Sequence, residues 1–598
     1  MKSIALPRLL LCLATLALLG APALGQDAEA RLDALLDAES RDAVDAWPPW
    51  GSSLGRERYD ALMPDPSPAA RAKRAQVLRE RLRALAAIPR AELSPERALD
   101  ARLLEHELEL ERASEAFAGW QTPVGPMGGP QQWILQMTER VRYDAPRRRR
   151  AFLKRLEQVP AYLAQVIQNL RAGLAAGRTP PRIVLGRVVE QARAHTDEAS
   201  ARDPSTHPLF RPFRDATPAE QAEAKRVLRE ALIPAFRRFA TFLEQVYLPG
   251  CRSSIAAEDL PQGRAGYALA LRRHSTTALS AGEIHQIGLR EVARIEREMQ
   301  EVIARSDFRA PPGTTNPFLA FLAYLRRDPR FYHRDAESLL DAYRAIAKKV
   351  DAELPRLFRR LPRLSYGVRA MSSAIAPSSP TAYYYRGSPQ SGVAGTFVAN
   401  TYRLDQRPRY EQVPLTLHEA APGHHLQIAL AQELEGVHPW RRTRGYTAFV
   451  EGWALYAERL GLEMGEGPRG LYADPYDDFG RLTYEMWRAM RLVVDTGIHS
   501  KGWTRARAIT FMLERSALTE ENVQREVDRY IAWPGQAVAY KLGELAIRRL
   551  RGEAERTLGE GFDLRAFHDV VLGAGAVPLD VLEDQVQRWV RARARGPH

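Results

Sequence analysis

Apolar residues recur at three- and four-residue spacing through almost the whole of this chain, and that period commits it to helices. The pattern is plain over residues 151–176, 218–247, 280–305 and 335–349, with prolines and glycines punctuating it at 123–130, 177–181, 311–312 and 377–380. No stretch repeats at a fixed period, so a solenoid is not expected. One region departs from the helical pattern. Residues 381–385 and 395–402, around a turn at 386–389, read as two strands rich in tyrosine and β-branched residues. A short sheet there would offer an open edge to an extended peptide, or would be a stabilising hairpin; Phe397 and Asn400 are its candidate substrate contacts.

At 598 residues the chain is long enough for a large core or two lobes. A formal charge of +13 sounds like a nucleic-acid binder, but the arginines are scattered among glutamates on helical faces. Without a basic cluster or interleaved aromatics, nucleic acid is excluded as an expected partner. Residues 1–25 have the build of a secretory leader: Lys2 and Arg8, an apolar run over 9–19, then small residues before Gln26. The expectation is a secreted, periplasmic protein whose remaining cysteine, Cys251, cannot form an internal disulfide. No later stretch approaches the ~18 uninterrupted apolar residues of a membrane span, so a soluble chain without an integral membrane segment is expected.

The chemistry concentrates in residues 415–427. His418-Glu419 is followed by Pro422-Gly423 and then His424-His425. In the common zinc-hydrolase motif two histidines four residues apart share a helix face, and the glutamate beside the first activates water. Here position 422 is proline. On a straight helix His424 would point about 120° away from His418, and His425 would return to the face about 10 Å further along. Zinc–nitrogen bonds of roughly 2.0–2.1 Å admit neither. Pro422 cannot donate to a helical carbonyl and Gly423 tolerates unusual backbone, so the pair can loop out residues and swing a later histidine back over His418. His424 is favoured as the second ligand, with His425 in reserve. The third ligand is Glu451, an acid in an almost wholly apolar helical segment, where it would be costly without a cation. Glu458, two turns on, is placed to support a ligating histidine.

These residues, His418-Glu419-Ala-Ala-Pro-Gly-His424-His425-Leu-Gln and Phe449-Val-Glu451 through Glu458, resemble the DUF885 family of bacterial proteins. The similarity continues through Arg491 to His499, Arg529-Tyr530 to Tyr540-Lys541, and Phe567-His568-Asp569 to Leu579, over most of the chain after the leader. That family in turn resembles helical gluzincins such as angiotensin-converting enzyme, oligoendopeptidases and thermostable carboxypeptidases. The resemblance implies one domain over 26–598, mainly α, saddle-shaped, with a deep central cleft and a short sheet beside the active site. It implies one Zn2+ held by His418, His424 and Glu451, with Glu419 as general base.

An acyl-transfer site also needs a donor facing the developing oxyanion. Tyr540 is the first candidate and Tyr530 the second, since a phenol donates while neutral. Arg488, Arg491, Asp495 and His499 fall at three- and four-residue steps on one apolar helix. Either they face the cleft, with Arg491 clamping a substrate carboxylate and Asp495 orienting His499, or they form an internal ionic network. The expected function is a secreted zinc peptidase acting on a peptide or other small acyl substrate. The alternatives are a zinc hydrolase of non-peptide amides or esters, and a non-catalytic zinc-containing peptide-binding protein.

Overall fold

The computed structural model describes residues 21–595 apart from 142, 374–375, 377–379 and 390–391, so most of the expected leader lies outside the described residues. The fold is mainly α with one small sheet, as the periodicity predicts. The helix expected over 280–305 is Ala281–Arg305 (α1), opened by a capping box between Ser280 and Glu283. The next, Ala336–Leu357 (α2), starts where the Asp335 carboxylate caps the Ser338 N–H. Over 218–247 the period is interrupted by two single π-turns, Leu228–Leu232 and Leu243–Tyr247, each running into a proline.

The sheet has three strands, not two: Tyr366–Ala370 (β1), Ala382–Tyr385 (β2) and Gly395–Ala399 (β3), in the order β1-β3-β2. β2 pairs antiparallel with β3, as a hairpin should, and β1 adds in parallel on the far side of β3. β1 escapes a sequence reading because its residues alternate without a buried apolar face. β2 therefore remains an edge.

Six further helices build the site: Gln412–Glu419 (α3), His424–Gln432 (α4), Thr447–Leu460 (α5), Pro475–Ser500 (α6), Glu520–Ala532 (α7) and Ala539–Leu558 (α8). α5 and α8 cross through a pair of glycines. A Cβ on Gly543 would overlap the Ala448 carbonyl oxygen, and one on Gly452 would collide with the Gly543 backbone. α1 packs closely on α6 through a single glycine, Gly288, which lies against the Leu492 and Val493 side chains. Lys541 of α8, wholly buried, ties these helices together through Glu485 of α6 at 2.8 Å, Glu291 of α1 at 3.1 Å and Glu544 at 2.9 Å.

The apolar core divides into clusters. One joins the chain's two ends, setting Leu32 and Leu104 with Trp453 and Phe567. A second lies wholly within residues 124–251, around Phe152, Leu163 and Phe236. A third packs residues 292–331 against 476–531. Among the described residues no helix is long and apolar enough to cross a membrane.

Candidate metal centre

α3 ends at Glu419, residues 420–423 form a tight turn with a cis Ala421–Pro422 peptide, and α4 begins at His424. A Cβ on Gly423 would overlap the carbonyl oxygens of Leu417 and His418, so only glycine lets the chain double back this closely. The turn is pinned from α5 by Trp453, whose indole N–H donates to the Pro422 carbonyl at 2.8 Å. Its result is that the His418 and His424 rings lie 4.7 Å apart, nearly perpendicular.

Glu451 of α5 faces both rings. Its Oε2 is 3.5 Å from His418 Nε2 and 3.5 Å from His424 Nε2. One nitrogen from each ring and one Glu451 oxygen all lie within 4.8 Å of one another. A separation of 3.5 Å is wide for a hydrogen bond, and Glu451 Oε2 is buried with no such partner among the described residues. It matches the roughly 3.4 Å between neighbouring ligand atoms of a tetrahedral ion bonded at about 2.0–2.1 Å. Two neutral imidazoles and a carboxylate, spaced in this way around a shared centre, fit a zinc-type dication. Without one, burial pulls the His418 pKa down, but Glu451 and Glu458 outweigh it and raise it to about 9. Burial likewise opposes ionisation of Glu451, yet the two histidines hold its carboxyl well below the usual range.

The surroundings orient these groups. Glu458 Oε1 accepts from His418 Nδ1 at 2.8 Å, which leaves Nε2 free to face the centre. Arg488 of α6 reaches the same Glu458 oxygen at 3.3 Å. Glu419 is nearly buried, and its Oε2 has no hydrogen-bond partner among the described residues. His418, Glu419, His424 and Glu451 share one wall of a cleft of about 530 Å³, into which β2, Trp487, Arg491 and Tyr540 also open. The Tyr540 hydroxyl accepts from Arg529 at 3.3 Å.

Other expected site residues are placed elsewhere. His425 is turned away from the centre, packed on Tyr366 with its Nδ1 3.0 Å from the Tyr384 hydroxyl, and of the two histidines it is His424 that lies beside His418 and Glu451. Phe397 points into the core against Tyr343, because β3 is the central strand and is covered on both faces at this point. Asn400 spends its amide on the Ala376 and Pro380 carbonyls, securing the approach to β2. Tyr530 lies behind the cleft wall, where its hydroxyl accepts from Trp487 and Arg491, both at 3.0 Å. His499 is fully buried between the Ala257 N–H and the Tyr530 carbonyl. Asp495 does not orient it; its carboxylate takes the Tyr267 hydroxyl at 2.6 Å and the Gly535 N–H at 3.1 Å. The polar row on α6 thus splits, its first two members facing the cleft and its last two tying helices together. Arg407, Arg529 and Tyr384 also line the cleft, and nothing in their spacing along the chain singles them out as contacts.

Fold and site together define a mainly helical protein with an inward-facing pair of histidines and a glutamate at the wall of a deep cleft. The chain belongs to the DUF885 family, described as bacterial protein of unknown function, whose pattern matches residues 48–586. Among solved structures, a proposed lipoprotein from Colwellia psychrerythraea is similar at 28% identity and a TM-score of 0.86, over 94% of this chain and 99% of its own. A proposed lipoprotein of unknown function from Shewanella oneidensis shares the fold at 19% identity and a TM-score of 0.72, over 92% and 99%. No curated protein matches the chain.

Proposed function

We propose that this protein is a zinc-dependent hydrolase of peptide or closely related acyl bonds, working outside the cytoplasm. The observation that carries the reading is the convergence of His418 and His424 on Glu451, whose Oε2 is 3.5 Å from a nitrogen of each ring with all three ligand atoms within 4.8 Å of one another, beside a Glu419 whose Oε2 is unpartnered among the described residues, in an open cleft. It is also the arrangement that the resemblance to helical gluzincins implies.

Bound there, zinc would supply Lewis acidity toward a water molecule and a scissile carbonyl. The chain's own groups do the rest. Glu419 accepts the proton of the attacking water and delivers it to the leaving amine. Tyr540 donates a hydrogen bond to the oxygen on which charge develops, its ring held by Arg491 at 4.4 Å. Glu458 keeps His418 in one tautomer. The leader-like first residues and the description of the Colwellia protein as a proposed lipoprotein support an envelope or extracytoplasmic location.

The test is zinc content and cleavage of a peptide mixture read by mass spectrometry, with an ester panel beside it. Glu419→Gln should keep its zinc and lose about 10²–10⁴-fold in rate; Glu451→Ala should lose the metal. A fully active Glu419→Gln, or full zinc in Glu451→Ala, would overturn the assignment. Zinc without turnover on either panel would leave a metal-containing binding protein.

A further inference from the structure

The cleft is strongly cationic, and its cations outnumber its acids. Arg187, Arg407, Arg488, Arg491, Arg525 and Arg529 line it, against three glutamates. Of those glutamates, Glu451 is turned onto the histidines, and Glu526 is shared between Arg491 at 3.0 Å and Arg529 at 3.4 Å. Three guanidinium nitrogens, Arg491 Nη1, Arg488 Nε and Arg407 Nε, are shielded from solvent with no hydrogen-bond partner among the described residues. An unmet buried donor on a charged group is costly, so three of them beside one cleft favour an acceptor brought to that wall.

Arg491 is the best prepared of the three. It is 2% exposed, and its guanidinium lies over the Trp487 ring at 4.5 Å and the Tyr540 ring at 4.4 Å. Its Nε donates to Tyr530 and its Nη2 to Glu526, which fixes the plane and leaves Nη1 to spare. A stacked, doubly anchored guanidinium loses little freedom on binding an anion. Its position is informative too. It lies against Tyr540, the residue assigned to the scissile carbonyl, and one residue of extended chain spans only about 3.3–3.6 Å.

We propose that the cleft recognises the free α-carboxylate of its substrate through Arg491, helped by Arg529 and Arg407, so that the bond cut lies one or two residues from a carboxyl terminus. The inference rests on the hydrolase reading for its second half, and the ligand class is a short peptide or N-acyl amino acid bearing a free acid. Arg491 offers that acid its Nη1 amino group rather than its two-nitrogen fork, since Nε and Nη2 are engaged.

Binding tests this without turnover. Metal-free Glu419→Gln protein would be titrated with an N-acetyl tripeptide as the free acid and as its C-terminal amide, following the heat of binding and, independently, the change in tryptophan fluorescence to which Trp487 and Trp533 in the cleft contribute. The acid should bind at least about tenfold more tightly. Arg491→Gln in the same background should abolish that preference, and Arg491→Lys should restore part of it, with circular dichroism confirming the fold. Equal affinity for acid and amide, or no binding of the acid, overturns the proposal without recourse to any Arg491 variant. A persistent acid preference with no cleavage by zinc-loaded wild type would keep carboxylate recognition and remove the hydrolase. Cleavage of acid and amide alike would do the reverse.

Discussion

His418 Nε2 faces the candidate metal because its other nitrogen is committed to Glu458. Removing that partner frees the ring to rotate and to change tautomer, so Glu458→Ala should weaken zinc binding by about 10–100-fold, measured by competition with a chromophoric chelator. A distant carboxylate sets a pH dependence of its own. Burial pushes the Asp495 carboxyl up to about 7, although Tyr267 and Gly535 both donate to it. A folded-state pKa above the unfolded value of about 3.9 means that the proton favours the native state. Its contribution is therefore complete below pH ~4 and is lost as the pH rises to about 7. Asp495→Asn keeps the shape and removes the titration. Denaturant unfolding at pH 5 and pH 7.5 should show wild type losing stability relative to this variant as the pH rises; an unchanged difference would contradict the assignment.

At the scale of elements, the turn between α3 and α4 and the crossing of α5 with α8 do most to build the site. Both depend on glycines that permit backbone-to-backbone approach. Gly543→Ala should push α5 and α8 apart, at about 1–3 kcal/mol of stability in chemical denaturation. It should also weaken metal binding, since α5 carries Glu451. Much of the centre is legible in the amino-acid sequence. An acid inside an apolar helix and a Pro-Gly break between histidines are local signals, and they lead to Glu451 and to the pair His424-His425. Which of the pair turns inward depends on how the backbone leaves the turn, so spacing favours His424 without deciding for it. The same limit explains Tyr530, His499 and Asp495. Helical spacing says that polar groups share a side of a helix, α6 for Asp495 and His499 and α7 for Tyr530, but it cannot say whether that side meets open space or another helix. Arg407 and Arg529 are hidden for a plainer reason: they are two among 86 lysines and arginines, and their charge carries no signal until the fold gathers them.

For the whole molecule, the centre draws on two helices that flank one turn and on a third about thirty residues later, all set in the core that joins the chain's ends. A ligand that binds only this assembled arrangement stabilises the entire fold. Thermal unfolding of zinc-loaded protein should therefore lie above that of chelator-stripped protein, with free zinc at a thousandfold excess over Kd worth about 4 kcal/mol, and Glu451→Ala should show no such shift. The region over 124–251, with a core of its own, reaches the cleft through Met127 and Arg187.

The crossing of α5 and α8 has one more implication. Where two rods touch backbone to backbone, no layer of side chains lies between them to slide or repack. Glu451 rides on one rod and Tyr540 on the other, so the distance between acid and phenol is set as rigidly as the jaws of a casting. Any opening and shutting that lets substrate in must happen somewhere other than between those two groups.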